Sequence, residues 1–398
     1  MGSGKLSHEI IQQKLAQAAQ KLEEGGIDLW VTFVQETSSG AERIFEYISP
    51  GDLTWESAVL LRRGGGSAII CGSFDQKDFE DSQLYDRVVP YVADFKVPFV
   101  EYLKEASPRK VALNYSLDDA SADGITHGKF VFIKGVIEET LPGVEIVSAD
   151  RVIGALVSQK TESERAAVQE AVGITVGLFE ELKGFLKSGL TEKQVYDFIQ
   201  GRMAALGVEP SFHTLVFSGD RGAGMGHAAA TDNDLRPGDL LHVDMGVWVR
   251  GYASDMQRTW YILKPGEETP PEAARKGFHT IARAIAEAAK VLKPGVEGHA
   301  VDAVSRKVIT DAGYPEYPHA LGHQLGHHVH DGGSLLGPAW PRYKKTPFMT
   351  AELGQIHTLE PSLTVPGHGA IGLEDDVVVG PGGAEFLAAT QTELWIIR

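Results

Sequence analysis

A single cysteine, Cys71, occurs in 398 residues. No intrachain disulfide can form, and a zinc site built from several thiolates is excluded. Basic residues are also in short supply: 37 Lys and Arg stand against 54 Asp and Glu, for a net charge of −17. Binding a phosphate backbone needs a basic surface, so no nucleic-acid partner is expected. No apolar run approaches the roughly 18 residues of a membrane span, and Met1 to His8 hold no signal-peptide core. These absences describe a soluble, cytoplasmic chain with no membrane partner. Hydrophobic residues at 43% and charged residues at 23% are ordinary for a globular protein. Single cores rarely grow beyond ~250–300 residues, so a chain of this length is expected to form two domains.

Residues 1–158 read as the smaller, N-terminal α/β domain. An amphipathic helix from Ile10 to Leu22 leads into the apolar run from Asp28 to Val34. A hairpin follows, Ala58–Leu61 and Ser67–Cys71, turning at Gly64-Gly65-Gly66, with further strands at Arg87–Val92 and Lys110–Asn114. Arg63-Gly64-Gly65-Gly66 precedes no helix and so is no phosphate loop. Residues 159–398 form the second domain. Thr161 with Glu164, and Thr191 with Gln194, have the spacing of helix capping boxes. The second domain also repeats itself. Leu186-Lys187-Ser188-Gly189-Leu190 recurs 106 residues on as Leu292-Lys293-Pro294-Gly295-Val296, and Gly207 falls on Gly313 at the same offset. Two such halves predict a pseudo-twofold with a cleft where their sheets meet.

Chemistry-bearing residues concentrate in that domain. Five of the fourteen histidines, His319, His323, His327, His328 and His330, lie within twelve residues, threaded through glycines. Imidazoles titrate near neutral pH and bind transition metals when neutral. Taken alone, the tract is either a metal-binding element or a compositional bias. In the run Leu240–Asp255, Asp244 and Asp255 flank a hairpin turn near Val249-Arg250-Gly251. A two-residue turn there predicts that the two carboxylates face each other on one side. Opposed like charges about 5 Å apart destabilise a hairpin unless a cation lies between them. Glu360 ends the run Ile356–Leu359, and Glu374 ends Ala370–Leu373. Each half thus offers two carboxylates on a strand pair, with the histidines between them in sequence. Four carboxylates and one or two imidazoles suit two hard or borderline divalent ions, such as manganese, cobalt, zinc or iron.

The ordered motifs Val243-Asp244-x-Gly246, Gly251-Tyr252-x-Ser254-Asp255-x-x-Arg258-Thr259, Gly322-His323-x-x-Gly326-x-x-x-His330-Asp331, Thr358-Leu359-Glu360-Pro361 and Leu373-Glu374-Asp375-Asp376-Val377 resemble those of the pita-bread metallopeptidases. That family includes prolidase (Xaa-Pro dipeptidase), Xaa-Pro aminopeptidase and methionine aminopeptidase. The resemblance implies an α+β chain: a C-terminal pita-bread fold of duplicated αβ halves, preceded by the smaller α/β domain of prolidases. It implies two divalent ions per chain (manganese, zinc or cobalt) held by Asp244, Asp255, His323, Glu360 and Glu374, with Asp255 and Glu374 bridging. It also implies that Glu360 carries protons for a metal-bridging hydroxide, that His330 stabilises the tetrahedral intermediate, and that His227 and His319 line the substrate site. A homodimer is the family's usual assembly.

Departures concern the substrate end. Gly372 and Thr346 stand where prolidases and Xaa-Pro aminopeptidases carry arginines, and Leu353-Gly354 replaces their Pro-Gly. Arg342, Lys344 or Lys345, beside Trp340 and Tyr343 on the segment Ser334–Lys345, are candidates for the missing charge; a solvated basic loop is the alternative. The expected activity is hydrolysis of the Xaa-Pro bond of a small peptide with proline at its second position, preferentially a dipeptide. Its rivals are an Xaa-Pro aminopeptidase acting on longer peptides and a non-catalytic peptide-binding relative.

Overall fold

The computed structural model describes residues 5–40, 42–219 and 229–398. The chain divides into two compact units, one ending at Ser163 and the other running from Glu164 to Arg398. Among the described residues no helix is long and apolar enough to cross a membrane.

The first unit holds helices α1 (His8–Gly25), α2 (Phe45–Ile48), α3 (Gln76–Ser82), α4 (Lys96–Ala106), α5 (His127–Thr140) and α6 (Asp150–Ser158). Its strands are β1 (Leu29–Val34), β2 (Ser57–Arg62), β3 (Ser67–Gly72), β4 (Arg87–Tyr91), β5 (Lys110–Leu113) and β6 (Glu145–Ser148). They form one mixed sheet in the order β4-β3-β2-β1-β5-β6. Strand β1 is buried along its whole length, as its unbroken apolar run requires of a central strand. The β2–β3 turn is made by Gly64 and Gly65, both at positive φ (84° and 97°).

The second unit begins with α7 (Glu162–Phe185) and α8 (Glu192–Leu206), followed by β7 (Glu209–Pro210), β8 (Leu215–Ser218), β9 (Leu240–Met245), β10 (Val247–Val249), β11 (Tyr252–Ala253) and β12 (Met256–Ile262). Helices α9 (Glu272–Val291) and α10 (Gly298–Asp311) then restart the pattern. After them come β13 (Ile356–Leu359), β14 (Ser362–Val365), β15 (Gly369–Gly372), β16 (Asp375–Gly380), β17 (Gly383–Phe386) and β18 (Trp395–Ile397). The duplication seen in sequence is physical. Helices α7 and α9 end 106 residues apart, and α8 and α10 begin 106 residues apart. Gly189 and Gly295 turn between the helices at φ 83° and 86°, while Gly207 and Gly313 follow α8 and α10 at φ 69° and 91°. A side chain at φ values in this range is strained, which explains why glycine recurs at these positions.

The Thr191–Gln194 capping box forms at the start of α8. Glu164 is buried in α7 and accepts the Tyr252 hydroxyl at 2.8 Å. That bond ties the β10–β11 hairpin to the helix. The apolar face of α9, including Phe278, Ile281 and Ile285, belongs to the same core as Leu363, Val365 and Ile371.

Candidate metal centre

Strand ends from both halves converge to build the centre. Asp244 lies on β9, which pairs with β12; Asp255 immediately precedes β12. Glu360 follows β13, which pairs with β16, and Glu374 immediately precedes β16. An antiparallel bridge between Gln257 and Glu374 joins the two strand pairs, with backbone bonds of 3.3 and 3.2 Å. Asp255 is held from across this seam, its backbone N–H donating to Asp376 Oδ2 at 3.1 Å.

One expectation about this hairpin needs correction. The turn does fall at Arg250-Gly251, both at positive φ (50° and 82°), but the register places Asp244 opposite Gln257, not opposite Asp255. Counting back from a two-residue turn, the two aspartates are diagonal neighbours two positions out of step. They still share one face, because that offset preserves strand alternation.

The histidine tract enters as an extended segment beside β13. Leu325 N–H donates to Ile356 O, Thr358 N–H to His323 O and Glu360 N–H to Leu321 O, at 3.0, 2.9 and 2.7 Å. Gly322 is required there: a Cβ on it would stand 1.9 Å from the Thr358 carbonyl oxygen. His323 therefore comes alongside Glu360. Its Nδ1 donates to the Gln324 carbonyl at 3.1 Å, which leaves Nε2 as the free ring nitrogen. Nε2 lies 3.6 Å from both Asp255 Oδ2 and Glu360 Oε1. Asp255, His323 and Glu374 each present a ligand atom within 4.8 Å of the others.

The electrostatics of this cluster are unfavourable without a cation. Burial pushes the Asp244, Asp255 and Glu360 carboxyls well above the usual range, and repulsion from Glu374 adds to it. Burial raises Glu374 to about 7. It lowers His323 to about 3, helped by the charge of His330, so the imidazole is neutral. Asp244 Oδ1, Asp255 Oδ1 and both Glu374 oxygens are buried and meet no hydrogen-bond donor among the described residues. A lone pair on Nε2 facing two carboxylates, with orphaned carboxylate oxygens around them, fits divalent cations and little else.

The remaining histidines separate. The His330 ring stands 4.3 Å from that of His323, nearly perpendicular, and is exposed. His319 is partly buried; its Nδ1 donates to Ala320 O, and its Nε2 lies 2.9 Å from Ser362 Oγ. Ser362 is registered opposite Gly372. His327 is fully buried, with Nδ1 2.5 Å from Gly251 O and its ring against Trp248 and Tyr252, so it anchors the hairpin turn. His227 lies outside the described residues.

Arg342 lies beside the stacked rings of Trp340 and Tyr343, 4.6 and 4.8 Å from their centroids, and donates to Pro318 O at 2.6 Å. Thr346 Oγ1 donates to Tyr343 O at 2.7 Å and so helps hold that loop. Sequence reasoning left Gln257 unnamed and took Arg258 and Asp376 only as motif positions, with no role assigned. The first two sit between Asp255 and Thr259 in an otherwise apolar strand, and that polarity was the available signal.

Residues 166–381 match metallopeptidase family M24. An uncharacterised peptidase of Staphylococcus saprophyticus is 35% identical over 338 residues, spanning 83% of this chain and 87% of that protein. Another, from Staphylococcus epidermidis, is 27% identical over 393 residues, spanning 95% and 96%. The chain belongs to metallopeptidase family M24 and is a metallopeptidase. Its fold is that of solved structures at low identity. An Xaa-Pro dipeptidase from Bacillus anthracis superposes with a TM-score of 0.75 at 23% identity, covering 97% of this chain and all of the other. An X-Pro aminopeptidase from Thermotoga maritima superposes at 0.74, also at 23% identity, covering 95% and 99%. The α+β pita-bread architecture follows.

Proposed function

We propose that this metallopeptidase hydrolyses the Xaa-Pro bond, preferentially in dipeptides, with two divalent ions (manganese, zinc or cobalt) held by Asp244, Asp255, His323, Glu360 and Glu374. The observation that carries the metal reading is the unprotonated Nε2 of His323 facing Asp255 and Glu360 at 3.6 Å. When bound, such an ion pair lowers the pKa of water and polarises the scissile carbonyl. Glu360 alone among the four carboxylates is not fully buried, which suits it to take a proton from the attacking water and deliver it to the proline nitrogen. The leaving group is a secondary amine and departs readily only once protonated. The His330 ring, exposed beside His323, is placed to donate to the oxyanion. His227 and His319 complete the proposal as contacts on the substrate side.

For the substrate carboxylate we assign Arg342, with Trp340 as a wall. Its guanidinium has no carboxylate within salt-bridge distance among the described residues, and its bonds to Pro318 O and the Tyr343 hydroxyl hold it beside the two rings. Its charge reaches His319, whose pKa is lowered chiefly by burial and further by Arg306 and Arg342. Cytoplasmic residence and a homodimeric assembly belong to the same proposal and rest on the family resemblance and the single, buried thiol of Cys71.

The test combines metal analysis with product analysis on Ala-Pro, Ala-Pro amide and Ala-Pro-Ala. Two ions per chain and release of proline from Ala-Pro are expected, with Arg342→Gln raising KM about tenfold for Ala-Pro but not for the amide. Cleavage confined to Ala-Pro-Ala establishes the aminopeptidase alternative instead. Fewer than one ion per chain after reconstitution, with no cleavage, leaves a peptide-binding relative.

A further inference from the structure

We propose that the second unit carries a binding site for a small, apolar, zwitterionic amino acid, separate from the metal centre. Free amino acids are the class of product that a peptidase can release, and the site does not depend on which bond is cleaved.

The site is a cavity of about 220 Å3 bounded by α7, by Arg258 of β12 and by residues 389–393 with Trp395. Gln257 is registered opposite Asp244 and shares its face, so alternation turns Arg258 to the other face of β12. The walls are held in place. Gln391 is buried and grips the backbone of Thr259, accepting from its N–H at 3.2 Å and donating to its carbonyl at 2.8 Å. Trp395 packs on Trp260, with ring centroids 5.1 Å apart. Pockets for drug-sized ligands run from roughly 300 to 1,000 Å3, so this cavity suits a ligand of amino-acid size.

Its charged groups sort into partnered and unpartnered. Lys183 pairs with Glu180 at 2.6 Å and stands 3.5 Å over the ring of Trp395. Arg258 gives three N–H donors to Gln257 O, Glu374 O and Asp375 Oδ1. A guanidinium has five, and the other two meet no acceptor among the described residues. Glu393, at the mouth, is exposed and forms no ion pair among the described residues. The floor therefore lacks an acceptor and the mouth a cation, with Val176, Phe179 and Trp395 as apolar walls.

A simple anion fits this poorly, because Asp375 already neutralises Arg258 at 2.8 Å. A zwitterion brings an acceptor and a cation without adding net charge. Its α-carboxylate can take the spare N–H groups of Arg258, its α-ammonium can face Glu393, and an apolar side chain can lie on the aromatic wall. Arg258 also holds the carbonyl of Glu374, so the occupant touches the group that fixes the strand end bearing that carboxylate.

The experiment is calorimetry on the metal-loaded full chain with L-valine, L-valinamide, N-acetyl-L-valine and inorganic phosphate. L-valine should bind, with the two singly charged analogues and phosphate at least about tenfold weaker. Glu393→Gln should weaken L-valine about tenfold and leave N-acetyl-L-valine little changed. Thr390→Trp, which fills the cavity, should abolish binding with metal content unchanged; if it does not fold, Val176→Trp carries the same expectation. His323→Ala, depleted of metal, should still bind one L-valine per chain. Binding lost in His323→Ala but kept in Thr390→Trp assigns the amino acid to the metal centre and overturns the proposal. So does phosphate or N-acetyl-L-valine binding as tightly as L-valine, an unaltered affinity in Glu393→Gln, or no binding of L-valine by the wild type.

Discussion

Arg258 and Asp375 form a buried ion pair, Nη2 to Oδ1 at 2.8 Å, directly behind the candidate metal centre. The other terminal nitrogen of Arg258 donates to the carbonyls of Gln257 and Glu374, both at 2.8 Å. One guanidinium therefore closes the seam between the two halves at the residue that presents Glu374. Removing one partner strands a buried charge. Arg258→Met or Asp375→Asn is expected to destabilise the unit by about 3–5 kcal/mol, read from denaturant unfolding of the metal-free protein. A loss below about 1 kcal/mol would contradict this role.

Metal-free protein should respond to pH through the clustered carboxyls. Their pKa values are raised in the fold, Glu374 to about 7 from 4.5. Groups of this kind favour the folded state below their unfolded values, and that contribution is lost as pH rises through the folded ones. Bound divalent ions displace those protons, so the stabilisation they confer should grow from pH 5 to pH 8. Thermal melts with and without manganese across that range provide the measurement. A metal-induced shift independent of pH would argue against carboxylate ligation.

Neighbouring histidines should give opposite phenotypes. His323→Ala is expected to lower metal affinity by at least about a hundredfold while the protein remains folded. His327→Ala removes the bond to Gly251 O and the packing on Trp248 and Tyr252, costing about 1–3 kcal/mol of stability with metal content unchanged. Metal analysis and unfolding curves on the two variants separate the roles, and a metal-depleted His327→Ala would merge them.

Gly322→Ala tests the close approach beside His323. The added methyl group meets the Thr358 carbonyl, and relieving that clash must move the tract away from β13. A loss of about 1–3 kcal/mol accompanied by weaker metal binding is expected. Gly201→Ala, in α8 with open space at the same point, serves as the control and should leave metal binding unchanged with no loss of stability.

Much of the candidate site was legible in sequence because its parts are local. Asp244, Asp255, His323, Glu360 and Glu374 each sit at a strand end or beside a turn whose residues announce it, and the helix pairs repeat with their glycines at one spacing. What was not legible depends on partners distant in the chain. Gln257 gains its place from Glu374 and Asp244, Asp376 from the backbone of Asp255, and His327 from Gly251.

By itself the sequence determined which residues could hold cations, the order of the elements bearing them, and the duplication of the second unit. Composition, periodicity and glycine at positive φ are local physics and survive without coordinates. Only the tertiary structure decided the register that sets Asp244 opposite Gln257, the separation of one imidazole beside the carboxylates from one that pins a turn, and the seam at Gln257 and Glu374. Those outcomes depend on how strands pair across more than a hundred residues, where a shift of two positions preserves every local pattern yet changes which side chains meet.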